Sequence, residues 1–152
     1  MHARKQIRDA VVSLLNVAPV NWQLVTPSRI ASTRQIWPYL MVFCDGETSS
    51  PITVNEPFVS QRSLSVSIVG LLRLPGTGDT QSVEDRMDDL ALEVEEKITS
   101  AAMRGLVQIN NVSLISTVMD VFIEEENIDR AEIKMVYNIV YTTLDGSPST
   151  LI

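Results

Sequence analysis

Residues 131–143 alternate for longer than the ordinary strand of a small domain, and this alternation constrains the fold more than any other stretch. Ile133, Met135, Tyr137, Ile139 and Tyr141 fall on one face at period two, while Glu132, Lys134, Val136, Asn138, Val140 and Thr142 fall on the other. The first face is core throughout. The second begins charged and turns apolar, which predicts a covered later part and a wet earlier part. A strand over 130–143 follows one over 112–124, and the acidic turn Glu125-Glu126-Asn127-Ile128-Asp129 joins them. About twelve residues at roughly 3.3 Å each span some 40 Å, so this hairpin reaches beyond its own core.

The elements before the hairpin read from pattern and punctuation. Ile7, Ala10, Val11, Leu14 and Leu15 recur at helical spacing with Arg4, Lys5, Arg8 and Asp9 between them, giving an amphipathic helix over 3–16 that stops before Pro19. A short strand follows over 22–25, then a polar loop over 26–34. The apolar run 37–44, from Trp37 to Cys44, is the pattern of a strand covered on both faces, with Pro38 at its start and Asp45-Gly46 closing it. Residues 45–57 are rich in Gly, Ser, Thr, Pro and acids and read as a long loop. The stretch 62–74 alternates Leu64, Val66, Ile68 and Gly70 against Ser63, Ser65 and Ser67, a half-buried strand with a bend expected at Gly70. Val83, Met87, Leu90, Ala91, Val94 and Ile98 mark a second helix over 82–103, with Ser82 and Asp85 as a capping box and Gly105 to end it.

These elements predict an α/β (α+β) fold: a mixed, largely antiparallel sheet, two main helices packed on it, and a long C-terminal β-hairpin. A single domain is expected over 1–143, and the turn-rich residues 144–152 as a flexible tail. Roughly 150 residues suffice to bury a core unaided. The lone Cys44 allows no internal disulfide, which fits a reducing compartment, and no segment reads as a leader or a membrane helix, so the chain is read as soluble and untargeted.

Composition then narrows the chemistry. A formal charge of −7 argues against a protein that grips phosphates, because that binding needs clustered Lys and Arg. His2, the sole histidine, sits at the chain end and offers no centre for acid-base work, and Cys44 closes an apolar strand as a core thiol rather than a nucleophile. Gly76-Thr77-Gly78 lacks the Lys-Ser/Thr pair of a phosphate loop and reads as a loop and helix cap. The acidic residues of the second helix, Glu84, Asp85, Asp88, Asp89, Glu93, Glu95 and Glu96, read as a solvated face. No catalytic, cofactor or metal residue is assigned, and no enzyme activity is expected. The candidate residues are contacts. Trp37 and Phe58 border loops, Glu124, Glu125 and Glu126 cap the hairpin, Glu47 lies in the long loop, Arg62 opens the serine-lined strand, and Val136 and Val140 form the apolar part of the last strand's outer face.

The order of these segments resembles a known family along nearly the whole chain. The helix with Arg4-Lys5-Gln6-Ile7-Arg8-Asp9-Ala10-Val11, the Trp37-Pro38-Tyr39-Leu40-Met41-Val42 strand, the Arg62-Ser63-Leu64-Ser65-Val66-Ser67-Ile68-Val69-Gly70 strand, the acidic helix and the closing strand are together similar to the tail terminator proteins of long-tailed bacteriophages, which include minor tail protein U. The resemblance implies a homohexameric ring that caps the tail tube, stops its polymerisation and offers a docking surface to the head-to-tail connector. The implied partners are the tail tube protein and the connector, with no membrane and no cofactor. DNA would pass through the lumen without specific binding, and the implied location is the virion tail or neck, with assembly in the host cytoplasm. Two other readings stay open: another neck, tail-completion or head-closure protein, and, from a different class, a small α/β ligand-binding or regulatory domain.

Overall fold

The computed structural model describes residues 1–30, 36–73, 83–124 and 127–152, with 123, 124 and 127–129 described by backbone alone. Its elements run α1 (Ala3–Leu15), β1 (Leu24–Thr26), β2 (Tyr39–Pro51), β3 (Val59–Arg73), α2 (Val83–Lys97), α3 (Ser100–Arg104), β4 (Asn111–Glu124), β5 (Asn127–Leu144) and β6 (Ser147–Leu151). One sheet holds all six strands in the order β1-β2-β3-β5-β4, with β6 on β5. Only β1 and β2 pair in parallel. The expected class therefore holds: mixed α+β, a mostly antiparallel sheet, helices on it and a long hairpin near the end of the chain.

The alternation in β5 is the axis of the core. Ala131, Ile133, Met135, Tyr137, Ile139 and Tyr141 are all buried, and they join Leu40, Val42, Leu64, Val66 and Ile68 on one sheet face. The helices cover this face. Ile7, Ala10, Val11 and Leu15 of α1 and Met87, Leu90, Ala91 and Val94 of α2 supply the stripes the spacing predicts. Each such side chain, fully buried, contributes about 1.5–3 kcal/mol. Gly70 has a use other than a bend: β3 runs through it, paired with Leu40 and Ile133, and a Cβ there would lie 2.8 Å from Leu90 Cδ2. The missing side chain lets α2 approach the sheet.

Three boundaries differ from the sequence reading. The helix expected over 82–103 divides, because Thr99 turns extended and its hydroxyl accepts from Ala102 N at 3.1 Å, starting α3 as an N-cap. Its expected start at Ser82, and the glycine turn before it, lie outside the described residues. The loop expected over 45–57 is strand as far as Pro51: after a bulge between Cys44 and Gly46, β2 stays paired with β3 down to Pro51 opposite Ser60. Instead of a loose tail, residues 147–151 form β6, turned by Gly146 at φ 73° and held by Ile152 N donating to Thr142 O at 3.0 Å.

Candidate interaction surfaces

The β2–β3 hairpin runs to an exposed tip, an arm paired with β5 as far as Val59 opposite Leu144, and a polar network anchors its base. Glu47 on β2 faces Leu64, and Arg62 on β3 faces Tyr141 of β5, which puts all three polar side chains on the helix side of the sheet. Arg62 Nη1 donates to Glu47 Oε1 at 2.7 Å and its Nε to Thr143 Oγ1 at 3.0 Å, while the Tyr141 hydroxyl donates to the other Glu47 oxygen. The pair is largely buried, with Arg62 20% and Glu47 10% exposed. Burial first, then the hydrogen bond to Glu47, pushes the Tyr141 phenol well above its ordinary range. Glu47 and Arg62, two candidate contacts, are thus brought together and bound to one another inside the chain. Their opposite charges lie 15 residues apart across a hairpin whose register the sequence does not display.

At the arm's tip the chain is apolar and wet. Ile52, Val54 and Phe58 are 55%, 91% and 46% exposed. Asp145 N donates to Phe58 O at 2.8 Å, so the β5–β6 turn braces the tip. Phe58 therefore sits where an arm could seat in another protein. Ile52 and Val54 escaped the sequence reading because isolated apolar residues among Ser, Thr and Pro give no periodic signal.

Trp37 turns out differently. Its ring lies 5.1 Å from that of Tyr39, in a second apolar cluster with Met41, Val69 and Leu71 on the sheet face opposite the helices. Phe43 borders this cluster beneath the Arg29 guanidinium at 5.1 Å. Val136 and Val140 share that outer face and are half-buried among their strand neighbours, Ser67 and Ser116 beside Val136, Ser63 and Asn111 beside Val140. The first helix does not cover them, because it packs on the opposite face. Glu125 and Glu126 lie outside the described residues, as does the side chain of Glu124.

β4 carries a bare apolar surface. It forms the sheet's far edge, and Leu114, Ile115, Val118, Met119 and Val121 are all at least 36% exposed. Register with β5 puts Leu114, Met119 and Val121 on the helix side and Val118 on the outer side, with Ile115 in a bulge. Among the described residues the helical layer meets β4 chiefly through α3, at the strand's start. In sequence these residues look like an ordinary core strand, so composition gives no sign of their exposure.

Other features offer less. A cleft of about 560 Å³ lies between Trp22, Trp37, Leu72 and α2, but most of its charged groups are engaged: Glu93 accepts from Asn21 N and Nδ2, both at 3.0 Å, and Arg86 and Asp89 have partners of their own, while Trp37 Nε1 is buried without a hydrogen-bond partner. Burial raises the Cys44 thiol above its ordinary value, against a reactive thiolate. Among the described residues, no three His, Cys, Asp or Glu side chains are grouped to hold a metal ion, and no helix is long and apolar enough to cross a membrane.

No protein-family model and no curated protein matches the chain. Among solved structures, a chain described as virion of native gene transfer agent (GTA) particle superposes at a TM-score of 0.47 with 11% identity, covering 91% of this chain and 93% of that one.

Proposed function

We propose that the chain is a structural protein of a phage-type particle, a tail terminator that acts by assembly and not by catalysis. The observation that carries this reading is the amount of strand left bare around a complete core: an edge strand of 14 residues with five exposed large apolar side chains, and an arm with an apolar tip. Exposed edges of this kind are normally blunted or covered, so their survival marks surfaces that await protein. The order of segments that resembles the tail terminators supports the same reading.

In the proposed mechanism, copies of the chain close into a hexameric ring on the last ring of tube protein. The arm tips seat on the tube, further tube subunits find no free end, and the opposite side of the ring receives the connector. An excess of acidic side chains lets DNA pass without being held. The runner-up is another neck or head-closure component, and electron microscopy of particles assembled without this protein separates the two. A terminator leaves overlong tubes. Normal-length tails detached from heads would overturn the assignment.

A further inference from the structure

The two flanks of the helical layer carry opposite charge. On α2, Glu93 reaches Asn21 and Lys97 Nζ donates to Val17 O at 2.6 Å, so this side of the helix faces the β1 end of the sheet. Helical spacing puts Glu84, Asp88 and Glu95 on the other side, above the β4 edge. The charge of Glu95 reaches Tyr137, whose strand partner is Leu114 of β4, as that placement requires. Asp88 and Glu95 have no salt-bridge partner among the described residues. The β4 flank is thus an apolar floor of Leu114, Met119 and Val121 under an acidic wall.

The opposite flank is basic. Gln6 of α1 donates to Ser149 O of β6 at 3.0 Å, which turns that side of α1 toward β5 and β6. Arg4, Lys5 and Arg8 occupy the remaining sides together with Asp9, which pairs with Lys5 at 3.0 Å and with Arg8 at 3.7 Å and leaves the side with a net positive charge, and the charges of Arg4, Arg8 and Arg29 are felt at Cys44 on β2. Arg29 also donates to the Cys44 carbonyl, capping the edge that β1 leaves open after Thr26, and Ile30 beside it is 80% exposed.

We propose that the β4 flank of one copy receives the α1–β2 flank of a second copy, head to tail. Opposite charges then meet in the same layer, and the apolar floor is buried between them. A two-fold β4-to-β4 pairing would instead set the acidic walls of two α2 helices against each other. Asn111–Glu124 contains no Lys, Arg or Pro, but a bulge at Ile115 and the charge of Asp120 interrupt the edge, so the proposed contact is made by side chains and not by strand addition. A contact between two unlike faces of identical subunits propagates until it closes as a ring or runs on as a filament. This inference specifies the contact within the proposed ring and rests on that reading.

Native mass spectrometry and sedimentation of the full chain test it, with circular dichroism to confirm folding. The parent should associate beyond a dimer, and less so at high salt. Asp88→Lys with Glu95→Lys, and separately Arg4→Glu with Lys5→Glu, should each lose assemblies, and the chain carrying all four reversals should regain them. Met119→Lys with Val121→Lys should give a folded monomer. A parent that stays monomeric or stops at a dimer overturns the proposal, as does failure of the four-fold reversal to restore assembly. Rings that persist with Met119→Lys and Val121→Lys overturn this contact alone, while the terminator reading stands or falls on tube length.

Discussion

β5 and β4 are neighbours of similar length in one sheet, yet one is core and the other is surface. All six inward residues from Ala131 to Tyr141 of β5 are buried, whereas Leu114, Met119 and Val121, on the same face of β4, remain more than a third exposed. The two strands do not differ in apolar content enough to explain this. The difference lies around them: β5 has β3 beside it and α2 over it, whereas β4 is an edge that the helical layer meets at α3, beside its start. Burial in this fold is decided by what lies over a strand. In the proposed assembly a second copy supplies the cover that the exposed part of β4 lacks among the described residues.

Substitutions can break or sharpen this contrast. The largest effect is expected in β5, where Ile133→Ala should cost about 2–5 kcal/mol by urea denaturation, while Val121→Ala one strand away should stay within about 0.5 kcal/mol in the monomer. Comparable losses at both sites would contradict the assigned coverage. Next comes the arm's anchor: Arg62→Ala leaves Glu47 buried without its charge partner and should cost about 1–3 kcal/mol. Adding Glu47→Gln should recover part of that loss, and strict additivity in the double-mutant cycle would show that the pair is not coupled.

The same anchor predicts a pH dependence. Tyr137 and Tyr141 both have their phenol pKa raised by burial, so the fold favours the neutral form. Their contribution is intact below the ordinary tyrosine value of about 10 and falls as pH rises past it. Denaturation midpoints should therefore drop in alkali for the parent and drop less for Tyr141→Phe. A small effect on folding is expected at Val140→Asp, about 1 kcal/mol or less for a half-buried side chain on the face away from the helices. Its cost should appear in assembly, and a variant that assembles like the parent would remove the outer face of β5 from the contact surfaces.

Much of the architecture was legible because one-sided burial writes itself as alternation. The inward residues of β5, the stripes of α1 and α2 and the Leu64-Val66-Ile68 series were all readable for that reason. Strand that is wet on both faces leaves no such record. Thr48, Ser49 and Ser50 look like loop although their backbone is paired residue for residue with β3, and Ser147–Leu151 looks like a tail. The same physics hid the candidate surfaces. Leu114 to Val121 read only as part of the long hairpin because sequence reports apolarity and not coverage, and Glu47 with Arg62 read as outward contacts because their pairing depends on register. Among the described candidates, only Phe58, beside a proline-bearing turn, was both chosen from sequence and found exposed, at the tip of the β2–β3 hairpin.

The mass of the particle formed by this chain with tail tube protein tests the account most directly. Six copies of the chain on the tube end is the expected result, and a chain that remains a monomer with tube protein present would contradict it.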